Sequence, residues 1–271
     1  MFDLRSDTGK VIKLFNEKVD KEKIIEEYIK TRYLFDAGVR VPKVYGIIEF
    51  KNQYGIVMQK VIGQTLSWNL YKTPDKASII LEIFAKTLAL VNIAEDKEGL
   101  LPPQKKYYKD LINKLVDLNK RDRILKILDE LPDGKNICHN DVHLNNTMAG
   151  VEKLNKNTTN DGIMIDWVGV TKGNPLGNFA FALVFLQCSP SPSNMEDETR
   201  VAIDKFIDVY FTECKYDINR EELDKWRLVA GALFVGNEEF RLTVTDELLK
   251  EKIVKRLKNY TNLMDELLEK Y

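Results

Sequence analysis

A short β-branched run that ends in a carboxylate, Ile163-Met164-Ile165-Asp166, constrains this chain more than any other feature. Such a run reads as a buried strand, and an unpaired charge delivered to its end is costly. Asp166 therefore calls for a metal ion or a strong donor. Upstream lies Cys138-His139-Asn140-Asp141-Val142-His143-Leu144-Asn145-Asn146, a loop of short polar side chains that holds both histidines of the protein. Asp141 can take or orient a proton, and Asn146 offers a neutral oxygen suited to a hard cation.

Composition narrows what such a site serves. Lys plus Arg number 41 against 42 for Asp plus Glu, a net charge of −1, so no nucleic-acid footprint is present. The longest apolar run, Phe179 to Leu186, is too short to span a bilayer, and Met1 to Arg5 has no signal-peptide core. Three widely spaced cysteines, Cys138, Cys188 and Cys214, fit reduced thiols. The expectation is a cytoplasmic protein with no membrane partner.

The hydrophobic period changes along the chain. Phe2 to Arg5 and Lys10 to Phe15 alternate around a turn at Ser6 to Gly9, which predicts a β-hairpin; Val41 to Ile48 and Tyr54 to Met58 predict two further strands. Between them Ile24, Ile25, Tyr28, Thr31, Leu34 and Phe35 recur at helical spacing over Val19 to Ala37, before Gly38. From Asp75 the pattern is helical: Ala77 to Ile93, Tyr107 to Leu118 and Arg121 to Leu131 precede the polar loop. After Asp197 it is helical again, with turns near Tyr216 to Asn219 and Arg241 to Thr245. Glu152 to Gly162, polar and containing a sequon at Asn157, reads as an elongated mobile hairpin tip. Gly9-Lys10 is not a P-loop, because Val11 stands where Ser or Thr is required.

His139-x-Asp141-x-x-x-x-Asn146, followed by a strand ending Ile165-Asp166-Trp167, resembles the catalytic core of the aminoglycoside phosphotransferase and choline kinase-like family. The resemblance implies an α+β, two-lobe protein kinase-like fold. Residues 1–60 would form a small nucleotide-binding β-sheet lobe with one helix, and 61–271 a larger helical lobe for catalysis and acceptor binding. It implies phosphoryl transfer from ATP, with GTP open, to a hydroxyl of a small molecule. Asp141 would deprotonate the acceptor; Asn146 and Asp166 would hold Mg²⁺. Val-Ile-Lys13-Leu-Phe is similar to the strand whose lysine contacts the α- and β-phosphates, although a strand lysine on its own also reads as an edge guard. Glu27 matches the helix glutamate that pairs with that lysine, and only alignment prefers it to Glu26, about 100° round the helix. Gln59 and Val61 fall where the hinge backbone would meet the adenine.

Departures from the family matter as well. Asn174 and Asn178 stand where carboxylates are usual, and only twelve residues precede Lys13, fewer than the family's first strand and phosphate-covering loop require. That suggests a start assigned too far downstream or a reduced variant, and it leaves open a pseudokinase or nucleotide sensor. His139, Asp141 and His143 alternate and would share one face of a strand, which gives a third reading, a metal-dependent hydrolase. His139 itself reads as a scaffold of the loop. For the acceptor, Asn237, Glu238, Glu239, Phe240 and Trp226 are candidates, because carboxylates and aromatics suit a cationic amine or a sugar.

Overall fold

The computed structural model describes residues 2–3, 9–150, 162–189, 196–215, 219–245 and 247–271. The expected turn at Ser6 to Thr8, the insert after Val151 with its sequon, and the turn at Tyr216 to Ile218 lie outside them. Strand β1 (Phe2–Asp3) pairs with β2 (Lys10–Leu14); after helix α1 (Lys21–Asp36) come β3 (Val44–Phe50) and β4 (Gln53–Gln59), and the antiparallel order is β1-β2-β4-β3. The β3–β4 hairpin turns on Lys51 and Asn52, both at positive φ (48° and 63°), as a two-residue loop matched to strand twist requires. β3 starts three residues later than the alternation suggests, after Pro42, which has no N–H for a ladder.

Helix α1 turns Ile24, Glu27, Thr31 and Leu34 inward. Ile24 joins Val11, Val44, Ile56 and Met58 in a small core beneath the sheet. The helix ends at Gly38, φ +83°, where Gly38 N–H donates to Phe35 O at 3.0 Å and Val39 N–H to Leu34 O at 2.9 Å. That is the Schellman pattern, which needs a residue free to adopt a left-handed backbone.

The chain leaves β4 through Lys60 and Val61 into β5 (Gln64–Thr65), then α2 (Leu66–Lys72), α3 (Ala77–Ile93), α4 (Gln104–Ile112) and α5 (Leu118–Glu130). Gly63 makes the crossing possible: a Cβ there would lie 2.5 Å from Ala149 O. The predicted Tyr107 to Leu118 helix starts at Gln104 and stops at Ile112. Leu118 belongs instead to α5, because Asp117 caps that helix by accepting from Lys120 N–H.

Strands β6 (Asn136–Cys138), β7 (Thr147–Ala149), β8 (Ile163–Met164) and β9 (Thr171–Gly173) frame the polar loop: β7 lies between β5 and β8, and β6 pairs with β9. Helices α6 (Pro175–Cys188), α7 (Glu196–Cys214), α8 (Arg220–Val244) and α9 (Glu247–Leu268) follow. α6 is apolar all round and runs through the core, between α3 and α8. The turn expected from Arg241 begins only at Thr245: Arg241 stays helical and pairs with Glu238 one turn back. The cysteines are free and buried, and among the described residues no helix is long and apolar enough to cross a membrane.

Candidate active site

β6 delivers His139 and Asn140, and the chain then has to turn sharply to present Asp141. Asn140 makes the turn at φ 61°, a region asparagine tolerates better than most residues. Its side chain is buried and saturated. Oδ1 accepts from Tyr108 Oη at 2.9 Å and Gln104 Nε2 at 3.2 Å, while Nδ2 donates to Gly169 O and Thr171 Oγ1, each at 2.8 Å. Its N–H donates to Asn178 Oδ1 at 3.0 Å. Asn178 thus anchors the loop without a charge. Sequence reasoning missed Gln104, Tyr108 and Asn140: the first two bond to each other within α4 at 3.2 Å, but Asn140 lies 36 and 32 residues from them, and a glutamine on the buried stripe of α4 was the one local signal.

His139 is fully buried and ties the two halves of the stretch together. Its Nε2 lies 3.0 Å from Ile165 O, so this nitrogen donates; Nδ1 accepts from Asp141 N–H at 3.3 Å. The ring rests on Trp167 at 4.5 Å between centroids. Burial holds the imidazole pKa below its usual 6.5, against the opposing pull of Ile165 O, Asp141 and Asp166. With both nitrogens engaged, His139 is the scaffold the sequence suggested, and the alternating metal-binding face is not formed.

Asp141 is half-exposed. Asn146 Nδ2 donates to its Oδ2 at 2.9 Å and to its backbone O at 3.0 Å, and His143 Nε2 lies 3.4 Å from Oδ1. Burial alone would raise the Asp141 pKa, but the hydrogen bond and charge of His143, followed by His139 and Asn146, bring it below the ordinary value. The carboxylate is therefore ionised at neutral pH. Asn146 sits in a single 3₁₀ turn, Leu144–Asn146, and its carbonyl accepts from Ile165 N–H at 2.9 Å. With Nδ2 committed to Asp141, its amide oxygen stays outside that contact.

Asp166 differs from expectation in one respect. β8 ends at Met164, and Asp166 turns out at φ 67° with its side chain 43% exposed, so it is not a buried charge. Its partner is nevertheless a strong donor. Lys13 Nζ, from β2, lies 2.6 Å from Asp166 Oδ1 and 2.6 Å from Glu27 Oε1. Burial opposes a charged lysine, yet Glu27 and Asp166 outweigh it and raise the Lys13 pKa. Glu26 faces outward and pairs with Lys30, which decides between the two glutamates.

Two cavities meet at Asp166. The smaller, 150 Å³, is lined by Lys13, Glu27, Thr31, Met58, Asp166 and Trp167. Gln59 and Val61 are outside its lining: Gln59 N–H donates to Lys43 O at 2.7 Å, and its Oε1 accepts from Lys43 N–H at 3.3 Å. The larger, 630 Å³, runs from Asp141 and His143 past Phe181 and Phe234 to Asn237, Glu238 and Phe240 on α8 and Arg256 on α9. Two acceptor candidates are not part of it. Trp226 is fully buried against Gly177, and Glu239 accepts from Val116 N–H at 3.2 Å.

The donor set suits a hard cation of small radius: one carboxylate, Asp166, and one amide oxygen, Asn146. Magnesium is commonly held by one or two such groups, with phosphate oxygens and water completing the shell. Among the described residues no group of three or more His, Cys, Asp or Glu side chains is placed to hold a metal by itself.

No curated protein sequence matches the chain. Its fold is similar to that of amicoumacin kinase hAmiN in complex with AMP-PNP, Ca²⁺ and Ami, at 14% identity over 95% of this chain and 82% of the other, TM-score 0.65. It is also similar to aminoglycoside-3'-phosphotransferase of type VIII, at 16% identity over 83% and 84%, TM-score 0.57. A third likeness is to APH(3'')-Id from Streptomyces rimosus with ADP and streptomycin, at 13% identity over 84% and 88%, TM-score 0.57. The family model described as the phosphotransferase enzyme family matches residues 3–204, a span that includes Lys13, Glu27, Asp141, Asn146 and Asp166, and the chain belongs to that family of small-molecule kinases.

Proposed function

We propose that this chain transfers the γ-phosphoryl group of ATP to a hydroxyl of a small molecule, with Mg²⁺ as cofactor. The observation that carries the reading is the position of Asp166, shared between the Lys13–Glu27 pair and the cavity of Asp141. Related folds solved with AMP-PNP or ADP support nucleotide use, and GTP fits the same parts.

Each role follows from position and charge. Lys13, held by Glu27, would neutralise the α- and β-phosphates, and a charge-assisted pair of this kind fixes the ammonium more tightly than a free side chain. Asn146 and Asp166 would hold Mg²⁺, which neutralises the charge that develops on the transferring group. Asp141 would accept the acceptor's hydroxyl proton as that oxygen bonds to the γ-phosphorus. The β–γ bridging bond then breaks and ADP leaves. Phosphoryl transfer demands mainly positioning and charge stabilisation, and the buried network around Asn140 supplies rigidity to the loop that carries Asp141. Gln59 and Val61 remain the proposed hinge contacts through their backbone.

Against a nucleotide sensor without turnover, Asn178 still takes the Asn140 N–H that a carboxylate would take. Against a metal hydrolase, His139 has no nitrogen left for an ion. A cytoplasmic location fits a reaction fed by ATP and the three free thiols.

The test is thermal unfolding with and without ATP and Mg²⁺, beside Asp166→Ala, followed by ADP release with an acceptor panel. Stabilisation that requires both metal and nucleotide and disappears in the variant supports the reading. An unchanged midpoint at millimolar nucleotide sinks it.

A further inference from the structure

The acceptor cavity has two electrostatic ends. Near the transfer site are Asp141 and Asp166, whose charges serve the acceptor proton and the cation. At the far end the only lining carboxylate among the described residues is Glu238, and it is already taken. Arg256 donates to it through Nε at 3.1 Å and Nη2 at 3.0 Å, and Arg241 Nη1 lies 3.4 Å away. The Glu238 side chain is only 5% exposed, while Arg241 keeps 46% and Arg256 32%. Lys114 also lines the cavity and makes no ion pair among the described residues. Three cations, Lys114, Arg241 and Arg256, thus line the cavity, and the one lining carboxylate on α8 is neutralised.

An ammonium entering here finds no available counter-charge. To reach Glu238 it would have to strip a buried carboxylate of its guanidinium partners, and breaking a buried pair costs more than a surface ion pair returns. A carboxylate meets the opposite situation, since Arg241 and Lys114 are exposed donors and guanidinium binds carboxylate in a planar, two-pronged geometry. Between the two ends the wall is aromatic. Phe234 stacks on Tyr260 at 4.5 Å and 8°, and Phe181 lies 4.4 Å from Phe234. Such a wall suits a flat apolar body.

We propose that the acceptor is an anionic hydroxyl compound: a flat apolar body with a carboxylate held by Arg241 and Lys114, its hydroxyl directed to Asp141. A polycationic acceptor, the class expected from carboxylates on α8, is disfavoured by the pairing of Glu238. The inference rests on the phosphotransferase reading for what happens to the hydroxyl, but the charge preference is measurable without nucleotide.

The experiment compares two matched probes, 3-(hydroxymethyl)benzoate and 3-(hydroxymethyl)benzylamine, by ligand-observed NMR titration of the full chain. The benzoate is expected to bind about tenfold tighter or more, and Arg241→Gln and Lys114→Gln each to reduce that preference below about threefold. Equal or tighter binding of the benzylamine, no binding of either probe at roughly 10 mM, or a preference that survives both substitutions would overturn it. Arg256 is left intact in these variants, because its loss would strand Glu238 and confuse binding with folding. A chain that responds to Mg²⁺ and ATP yet prefers the benzylamine refutes this inference alone. A chain that prefers the benzoate and never responds to nucleotide supports the cavity's charge preference and refutes the kinase reading.

Discussion

Lys13 Nζ on strand β2 lies 2.6 Å from Asp166 Oδ1, 153 residues later in the chain. One ammonium thus joins the sheet lobe to the turn after β8, while Glu27 holds it from α1 at the same distance. Phosphate oxygens and Mg²⁺ would compete for the two ends of this contact, the phosphates for Lys13 and the metal for Asp166. On the proposed reading, the ion pair would mark where nucleotide enters.

Lys13→Met should remove the stabilisation that Mg²⁺ and ATP give, about 2.7 kcal/mol at roughly a hundred times the dissociation constant. For a chain of this size that is a midpoint shift of several degrees, on a scale of about 2–4 °C per kcal/mol. A variant that keeps the full shift would remove Lys13 from the phosphate site.

Lys13 and Glu27 should also be coupled in the free protein. Lys13→Met strips the buried Glu27 carboxylate of its donor, whereas Glu27→Leu leaves Lys13 with Asp166 alone, and the double variant should be more stable than the sum of the two by about 0.5–3 kcal/mol. Urea unfolding of all four proteins measures this, and additive effects would contradict a structural pair.

Asp141→Asn keeps the hydrogen-bond acceptor for Asn146 but cannot take a proton. Transfer should fall by about 10²–10⁴-fold, the usual contribution of a positioned base, with the Mg²⁺- and ATP-dependent midpoint shift retained. Steady-state ADP release with a working acceptor reports the first quantity; turnover near the parent rate would mean another group takes the proton.

Asn178 is an amide for a reason that the surrounding contacts make explicit. Asn92 Nδ2 donates to Pro175 O at 3.2 Å, and a carbonyl can only accept, so Asn92 Oδ1 must face Asn178 Nδ2, at 2.7 Å. Asn178 Oδ1 is then left for Asn140 N–H. Asn178→Asp would set a carboxylate oxygen against Asn92 Oδ1 inside the core and should cost about 1–3 kcal/mol. An unchanged urea midpoint would show that Asn92 turns over to accommodate the acid.

His139 sets an acid limit. Its folded pKa is below the ordinary 6.5 because of burial, so its share of stability is complete above 6.5 and is lost as pH falls below that value, where the unfolded chain takes a proton and the buried ring resists one. Protonation would also place a hydrogen on Nδ1, which accepts from Asp141 N–H, and disturb the loop. Two-bond ¹H–¹⁵N spectra at about pH 6 should show one histidine held as the neutral Nε2–H tautomer. Titration of both rings at ordinary values would refute the assignment.

Much of this arrangement is local in origin and was legible from the chain alone. Period-two alternation around Lys13 and the helical stripe of α1 predicted their elements; a common site for Asp141, Asn146 and Asp166 was implied by the family resemblance that their motif carries. Boundaries slipped where a single side chain decided them, as when Asp117 caps α5 and takes Leu118 from the helix before it. Glu26 and Glu27 were indistinguishable by type and adjacent in position. Burial separated them, since Glu27 is 4% exposed and Glu26 pairs with Lys30 at the surface.

What the amino-acid order determined by itself was the set of elements and the chemical kind of each group, because hydrophobic period, turn residues and caps act over a few neighbours. Only the tertiary structure decided which charges were available. Glu238 looked like a binding carboxylate until two arginines, one of them eighteen residues away, were found on it. Asn140 was one polar residue of a loop, and Asn178 an amide where a carboxylate is usual, until burial and partners on α3, α4 and β9 closed their hydrogen bonds. Desolvation makes such pairings decisive, and it depends on which segments pack together, a property that no local stretch of sequence carries.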